Sequence, residues 1–335
     1  MNPNRILVIQ TAFIGDVILS TALLESLHKQ YNSAKLDIMV RRGNEGLFEN
    51  HPYINKVHVW DKKGGKYQSL FRLLKEIRLI RYDLLINLQR YATTGILTLF
   101  SGATVKVGFD KNPLSFSFTH KVSHEFEKGI HEIERNHRLI DNWVNDTVSR
   151  PRLYPSQNDY QFVEKFQDQT YICLSPASVW FTKQYTLEGW IQLIKALPGH
   201  YKIFITGGKG DAVLANSIIA ALEENQRNRV VNLCGELTFL RSAALMQGAV
   251  MNYVNDSAPM HLCSAVNASV CTIYCSTVPE FGYGPLSEKS FIVEYQENLS
   301  CRPCGLHGHK ACPEKHFRCA NAIYTSQLTA VLGDA

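Results

Sequence analysis

The stretch Val254-Asn255-Asp256-Ser257-Ala258-Pro259-Met260-His261 carries residue types that suit anion binding. It follows an apolar run, Ala249 to Tyr253, and opens onto Leu262, Cys263, Ala265 and Val266. That order predicts a buried strand, a tight polar turn and a helix start. Asp256 or Ser257 can cap the helix, and Pro259 suits its first turn. Backbone N–H groups at a helix start attract phosphate, and open α/β sheets bind ligands beyond the carboxyl ends of their strands. The stretch therefore predicts a site for a phosphate-bearing ligand. His261, one turn into the helix, either touches that ligand or packs.

A second junction, Gln10-Thr-Ala-Phe-Ile-Gly-Asp16, leaves the strand Arg5 to Gln10 and enters an apolar helix over Asp16 to Gln30. Gly15 allows a tight turn and close ligand approach. Asp16 stands at the helix start, where Asp serves as an N-cap or as a base. The turn is not G-x-G-x-x-G, so a dinucleotide fingerprint is absent. Thr206-Gly-Gly-Lys-Gly-Asp211 is not a P-loop, because Gly210 follows Lys209 where Ser or Thr is required. It reads as a turn ending in a helix cap. Glu236, after Cys234-Gly235, is a further candidate polar contact.

Cys301-x2-Cys304-x7-Cys312-x6-Cys319, interleaved with His307, His309 and His316, has the composition of a metal site. The first pair has a usual half-site spacing and the second does not. Three readings stand: reduced cysteines packing a lid-like loop, a structural zinc, or a disulfide, which a reducing compartment disfavours. Cys173, Cys234, Cys263, Cys271 and Cys275 lie in or beside apolar runs and read as small core residues.

Strand and helix signals alternate to position these residues. In the first half, strands are expected over 5–10, 35–40, 56–60, 83–88 and 105–109, with helices over 16–30, 69–80, 93–100 and 131–144. A polar stretch with Pro151 and Pro155, residues 145–168, reads as a linker. Strands over 171–176, 202–206, 230–233, 249–254 and 269–274 then alternate with helices over 187–197, 211–224, 239–247 and 257–267. This grammar predicts two doubly wound parallel-sheet domains, 1–155 and 168–320, with a terminal helix over 321–335. A cleft between their strand C-termini is expected.

At 335 residues, 45% hydrophobic and 19% charged, the chain is long enough for two cores. It holds no apolar run long enough for a transmembrane helix and no evident signal peptide, and reads as cytoplasmic. A net charge of +5 suits an acidic substrate or an anionic membrane surface without demanding nucleic acid.

The opening Arg5-Ile-Leu-Val-Ile-Gln-Thr-Ala-Phe-Ile-Gly-Asp-Val-Ile-Leu-Ser-Thr-Ala-Leu-Leu resembles that of glycosyltransferase family 9, the ADP-heptose:lipopolysaccharide heptosyltransferases. Asn255-Asp-Ser-Ala-Pro-Met-His-Leu resembles the family's second signature. Asn87-Leu-Gln-Arg90, His131-Glu-Ile-Glu-Arg-Asn136 and Cys301-Arg-Pro-Cys304 match further, the last resembling the heptosyltransferase II branch. The resemblance runs through the chain in order.

It implies a GT-B fold: two Rossmann-like domains, the first binding the acceptor and the second the nucleotide sugar. It implies inverting transfer of heptose from ADP-heptose to a lipid-linked, anionic saccharide of the lipopolysaccharide inner core, with no cofactor and no catalytic metal. Asp16 matches the family's general base. Lys183, by residue type a solvated loop lysine, matches the lysine held against the phosphates. Ser178 falls where a phosphate-binding hydroxyl is common, and Asp211 matches an acidic position near the donor sugar or ribose. Asp256, Ser257, Ala258 and His261 fall in the donor signature. Ala258 departs from the usual Gly and leaves open whether the backbone approaches phosphate as closely. Gly15, Arg90 and, more loosely, Arg41, Arg42, Lys62, Lys63 and Lys66 are candidates for the anionic acceptor. The net charge of +5 also permits peripheral contact with the inner face of the cytoplasmic membrane. Two other functions compete: a GT-B transferase with another donor or acceptor, and a non-catalytic nucleotide-sugar or Cys/His metal-binding module.

Overall fold

Short aliphatic runs such as Ile6-Leu-Val-Ile9 and Leu84-Leu-Ile86 are buried to within about one per cent of their surface. Strands covered on both faces belong to parallel sheets flanked by helices. The computed structural model describes residues 2–62 and 64–333, and of Lys66 only the backbone. Lys63 lies outside the described residues. The chain divides into two compact units, Met1–Tyr154 and Pro155–Ala335.

The first unit runs β1 (Arg5–Ile9), α1 (Ile14–Gln30), β2 (Lys35–Arg41), β3 (Ile54–Trp60), α2 (Lys66–Ile80), β4 (Leu84–Asn87), α3 (Ala92–Phe100), β5 (Val105–Phe109), β6 (His120–Val122) and α4 (Glu132–His137). Its parallel sheet has the order β3-β2-β1-β4-β5-β6. From β1 the chain builds outward to β2 and β3, then crosses to β4 on the other side of β1. The ends of β1 and β4 therefore flank a switch point, where such sheets open a crevice. Leu7, Ile9, Trp60, Leu73, Ile77 and Leu85 form a core on the α2 side of the sheet.

The second unit runs α5 (Gln157–Glu164), β7 (Tyr171–Ser175), α6 (Leu187–Ala196), β8 (Lys202–Ile205), α7 (Ala212–Ala220), α8 (Glu224–Arg227), β9 (Val230–Asn232), α9 (Phe239–Gln247), β10 (Met251–Asn255), α10 (Ala258–Ala265), β11 (Val270–Tyr274), β12 (Ser290–Glu294), α11 (Arg318–Asn321) and α12 (Thr325–Ala330). The order β12-β11-β10-β7-β8-β9 repeats the design, with the switch point between β7 and β10. The sequence singled out the two loops that follow those strands. Each unit is thus a doubly wound parallel sheet, as the alternating strand and helix signals predict.

Several expectations are corrected. Residues 157–164, assigned to the linker, are helical: Ser156 and Asp159 form a capping box, and Tyr160 donates to Gln247 of α9 at 2.7 Å. The expected helix over 131–144 stops at His137 and continues as turns that still bury Leu139, Ile140 and Val144. The helix expected over 211–224 ends at Ala220, and α8 restarts after an extended Glu223. The terminal helix is α11 and α12, broken at an extended Tyr324; Leu328 of α12 is buried in the core and its carbonyl accepts from Tyr253 at 2.9 Å. Among the described residues no helix is long and apolar enough to cross a membrane.

Candidate active site

In the first unit the site residues gather where β1 and β4 end. Gln10 and Gln89 are buried and hydrogen-bonded to each other, tying the two exits together. Asn112 holds the Gln89 carbonyl at 2.9 Å. Helix α1 begins at Ile14, with Phe13 as its N-cap and no side-chain cap. Asp16 is thus inside the first turn and is not the N-cap, which removes the capping reading. Gly15 is helical too and absent from the positive-φ glycines, so the tight turn expected there does not exist.

Burial pushes the Asp16 carboxyl up to about 6, and the negative charge of Glu132 pushes the same way. The backbone N–H groups of Asp16 and Phe13, and the Arg41 guanidinium, oppose the rise. The carboxyl is thereby tuned to accept a proton near neutral pH. Glu132 is itself held by Arg135 at 2.8 Å. Arg41 lies over the Phe13 ring at 4.7 Å.

The other expected acceptor residues divide. Arg42 pairs with Asp61 at 3.0 Å, and Lys62 donates to the Thr11 carbonyl at 2.8 Å. Arg90 is exposed beyond β4. Burial holds His124 below the usual histidine range, with the nearby charges of Arg90 and Arg135 adding to the effect. The carboxyl edge of this sheet is therefore rich in cations, which suits an anionic ligand.

In the second unit, Lys183 closes a 3-10 turn after β7, and Asp256 follows β10. They form an ion pair, Nζ to Oδ2 2.6 Å, with side chains only 15% and 7% accessible. Thr277 donates to the same carboxylate oxygen at 2.7 Å. Asp256, expected among the donor-binding residues, thus holds the Lys183 ammonium in place. Asn255 locks the loop from both sides: its Oδ1 accepts from Tyr185 N at 2.9 Å, and its Nδ2 donates to Pro176 O at 2.8 Å.

Ser257 is the N-cap of α10, but its hydroxyl turns back to the Asn255 carbonyl at 3.3 Å, and no side chain caps the helix. This helix start keeps its positive dipole end for an anion. Ala258 is its first residue and is absent from the positive-φ residues, so the freedom of Gly is not needed there. His261 is 5% exposed, as a packed residue would be. Asp211 accepts from Gly208 N at 2.7 Å, which spends one carboxylate oxygen on the turn. Ser178 is part-exposed, its carbonyl taken by Gln184 at 2.7 Å. Glu236 is exposed near that turn.

The four late cysteines do converge. They are free, and all line one cavity of about 310 Å³ together with His309 and His316. Cys301 Sγ lies 3.8 Å from His316 Nε2. Burial raises the Cys304 thiol and takes that of Cys319 up to about 11. Among the described residues no group of three or more His, Cys, Asp and Glu is arranged to hold a metal ion.

What this segment does is brace the lysine loop. Thr182, 1% exposed, accepts from His309 N at 2.8 Å and from Ser276 at 3.0 Å, and donates its own N–H to the His309 carbonyl at 3.1 Å. Gly308, at φ +74°, passes so close that a Cβ there would lie 2.7 Å from the Thr182 hydroxyl and 3.2 Å from Lys183 Cγ. Arg302 donates to the carbonyls of Cys275 and Thr277, each at 2.8 Å, and pairs with Glu294. It thereby fixes the loop that carries Thr277, and through it Asp256 and Lys183. Sequence reasoning missed Glu132, Thr182, Thr277 and Arg302; Glu132 and Arg302 stood inside quoted motifs, and the other two carried no signal.

Two such units, each with its polar residues at the switch point of a parallel sheet, have the architecture of the GT-B glycosyltransferases. The chain belongs to glycosyltransferase family 9 (heptosyltransferase), whose model matches residues 70–316. It is 28% identical over 283 residues to lipopolysaccharide heptosyltransferase 3 of Escherichia coli, covering 79% of this chain and 82% of that one. Its fold is similar to that of the E. coli ADP-heptose lipopolysaccharide heptosyltransferase II, with a TM-score of 0.80 at 21% identity over 98% and 99% of the two chains. A family 9 glycosyltransferase from Veillonella parvula aligns with a TM-score of 0.84 at 20% identity, over 99% and 98%.

The Arg302 brace leads to a specific expectation. Arg302→Lys keeps the charge but loses the planar fork that reaches two carbonyls. ADP should bind about tenfold more weakly, a loss of ~1.4 kcal/mol. Adenosine, which has no phosphate, should bind as before. Equal losses for both ligands in titration calorimetry would reduce Arg302 to a general stabiliser of the unit.

Proposed function

We propose that this chain transfers heptose from ADP-heptose to an anionic, lipid-linked saccharide of the lipopolysaccharide inner core, with inversion and without a catalytic metal. The observation that carries the reading is the buried Lys183–Asp256 pair beside the uncapped start of α10. As the donor's bond breaks, negative charge grows on the leaving diphosphate. A fixed ammonium and free backbone donors stabilise that charge without reorganising. Ser257 and Ala258 offer the backbone N–H groups, Ser178 a hydroxyl, and Asp211 and His261 lie in the same set of donor-side loops.

Asp16 takes the proton from the acceptor hydroxyl as it attacks. A carboxyl raised to about 6 is a stronger base than an ordinary one and is still mostly ionised at neutral pH. Arg41 and Arg90 attract the anionic groups of the acceptor. The enzyme works on its lipid-linked acceptor from the cytoplasmic face of the membrane; among the described residues no helix is long and apolar enough to span it. The relatives' names support the heptose and the lipopolysaccharide acceptor.

A donor panel tests the reading. ADP-, UDP-, GDP- and CMP-sugars are incubated with a deep-core lipopolysaccharide acceptor, and products are identified by mass. ADP-heptose alone should extend the acceptor by one heptosyl residue. Extension from another nucleotide sugar, with none from ADP-heptose, would replace the donor assignment. The rate should also carry an acid limb: kcat/KM falls about tenfold per pH unit below about 6, as Asp16 takes up its proton. A flat profile from pH 5 to 8 would exclude Asp16 as the base.

A further inference from the structure

Helix α2 presents an outward face that the transfer chemistry does not use. Its inner residues Leu70, Leu73 and Ile77 are buried in the core beneath it. On the opposite side Phe71 and Leu79 are 70% and 74% exposed, large values for such residues. Phe71, Leu74, Lys75, Arg78 and Leu79 line an open groove of about 400 Å³. Phe100, at the end of the neighbouring α3, is 50% exposed, and its carbonyl accepts from Arg78 at 2.9 Å, so the patch spans both helices. Arg72, Lys75 and Arg78 are exposed, and Arg81 follows the helix. The one acid of the helix, Glu76, is turned to Lys56 at 3.3 Å.

We propose that this face of α2 and α3 docks the enzyme on an anionic phospholipid bilayer, Phe71, Leu79 and Phe100 entering the headgroup boundary and Arg72, Lys75 and Arg78 meeting lipid phosphates. The inference rests on the lipid-linked acceptor proposed above and adds where the membrane is met. An apolar stripe flanked by cations on an otherwise soluble helix is the pattern of an interfacial helix. Charge selects the occupant. A second copy of the chain would set Arg72, Lys75 and Arg78 against their own counterparts, since a two-fold contact pairs a patch with itself. An anionic bilayer offers the opposite sign and an apolar interior together.

Flotation with vesicles tests it, using phosphatidylethanolamine with phosphatidylglycerol in equal parts, and phosphatidylcholine alone. The protein should float with the anionic vesicles, remain free of the neutral ones, and be released as salt screens the lysines and arginines. Phe71→Ser/Leu79→Ser and, separately, Arg72→Glu/Lys75→Glu should each weaken binding at least tenfold. All four side chains are exposed, so both variants should keep their melting temperature and full transfer to a delipidated, water-soluble acceptor. Equal flotation of variants and wild type, or none by wild type, would overturn the docking face. So would a dimer in solution that both double variants dissolve. Transfer to the soluble acceptor is read independently: its failure with flotation intact would sink the proposed function and leave the docking face standing.

Discussion

Asp16→Asn is expected to keep ADP-sugar binding and to lower kcat by about 10²–10⁴-fold, the usual size of a lost general base. The amide is nearly isosteric, so the first turn of α1 keeps its shape. It cannot accept the acceptor's proton. Initial rates with saturating ADP-heptose measure the loss, and titration of ADP measures donor binding; full activity in this variant would remove the base assignment. A second consequence follows from the raised carboxyl. A group that holds its proton more tightly when folded contributes stability at low pH, and that contribution is lost as pH rises through its folded value of about 6. At pH 7.5 the ionised Asp16 therefore opposes folding, and Asp16→Asn should melt at a higher temperature than the wild type. At pH 4 the difference should shrink. A variant that is more stable and inactive separates a tuned base from a structural aspartate, whose loss would do the reverse.

Lys183→Ala is expected to lower kcat/KM by about 10²–10³-fold, the range for removing one donor to developing charge, and to weaken ADP binding. The structure makes the second effect separable from the first. Asp256 stays behind, buried and still bonded to Thr277, with its cation gone. Stranding one member of a buried pair costs about 3–5 kcal/mol, so Lys183→Ala should also melt early. Lys183→Ala/Asp256→Asn removes the stranded charge and should recover most of the melting temperature while transfer stays lost. Unchanged affinity for ADP in that double variant would end the phosphate role of Lys183.

How much of this was legible in the sequence follows from where the determinants lie. Strands such as Leu84–Asn87 and Val270–Tyr274 are buried on both faces, so their apolar runs announce them. Strand β6, His-Lys-Val, is three residues long and mostly exposed at the sheet edge, and β12 is an edge strand with a half-covered face; neither carries a run to read. Helix α5 sat in a polar stretch, and its Ser156–Asp159 capping box was the overlooked signal. The Asn255–His261 stretch was legible because it follows a strand end and Asp16 because it stands at a helix start, whereas Lys183 was singled out by the family resemblance alone. Their roles were less so. That Asp256 would face Lys183, that Thr277 would share its carboxylate, and that Arg302 would hook back onto Cys275 and Thr277 depends on strand order, which no local pattern encodes. The cysteine run was visible as a cluster, but its bond to Thr182 crosses more than a hundred residues.

Inverting heptosyl transfer, driven by a carboxylate base and a protein-held diphosphate, leaves its mark on the product. Wild-type enzyme, ADP-heptose and deep-core lipopolysaccharide are incubated with excess chelator, and the product's new linkage is read by mass and by the anomeric coupling in NMR. One heptosyl residue should be added, at an undiminished rate, with the anomeric configuration opposite to that of the donor. A retained configuration, or a reaction abolished by the chelator and restored by a divalent metal, would contradict that mechanism.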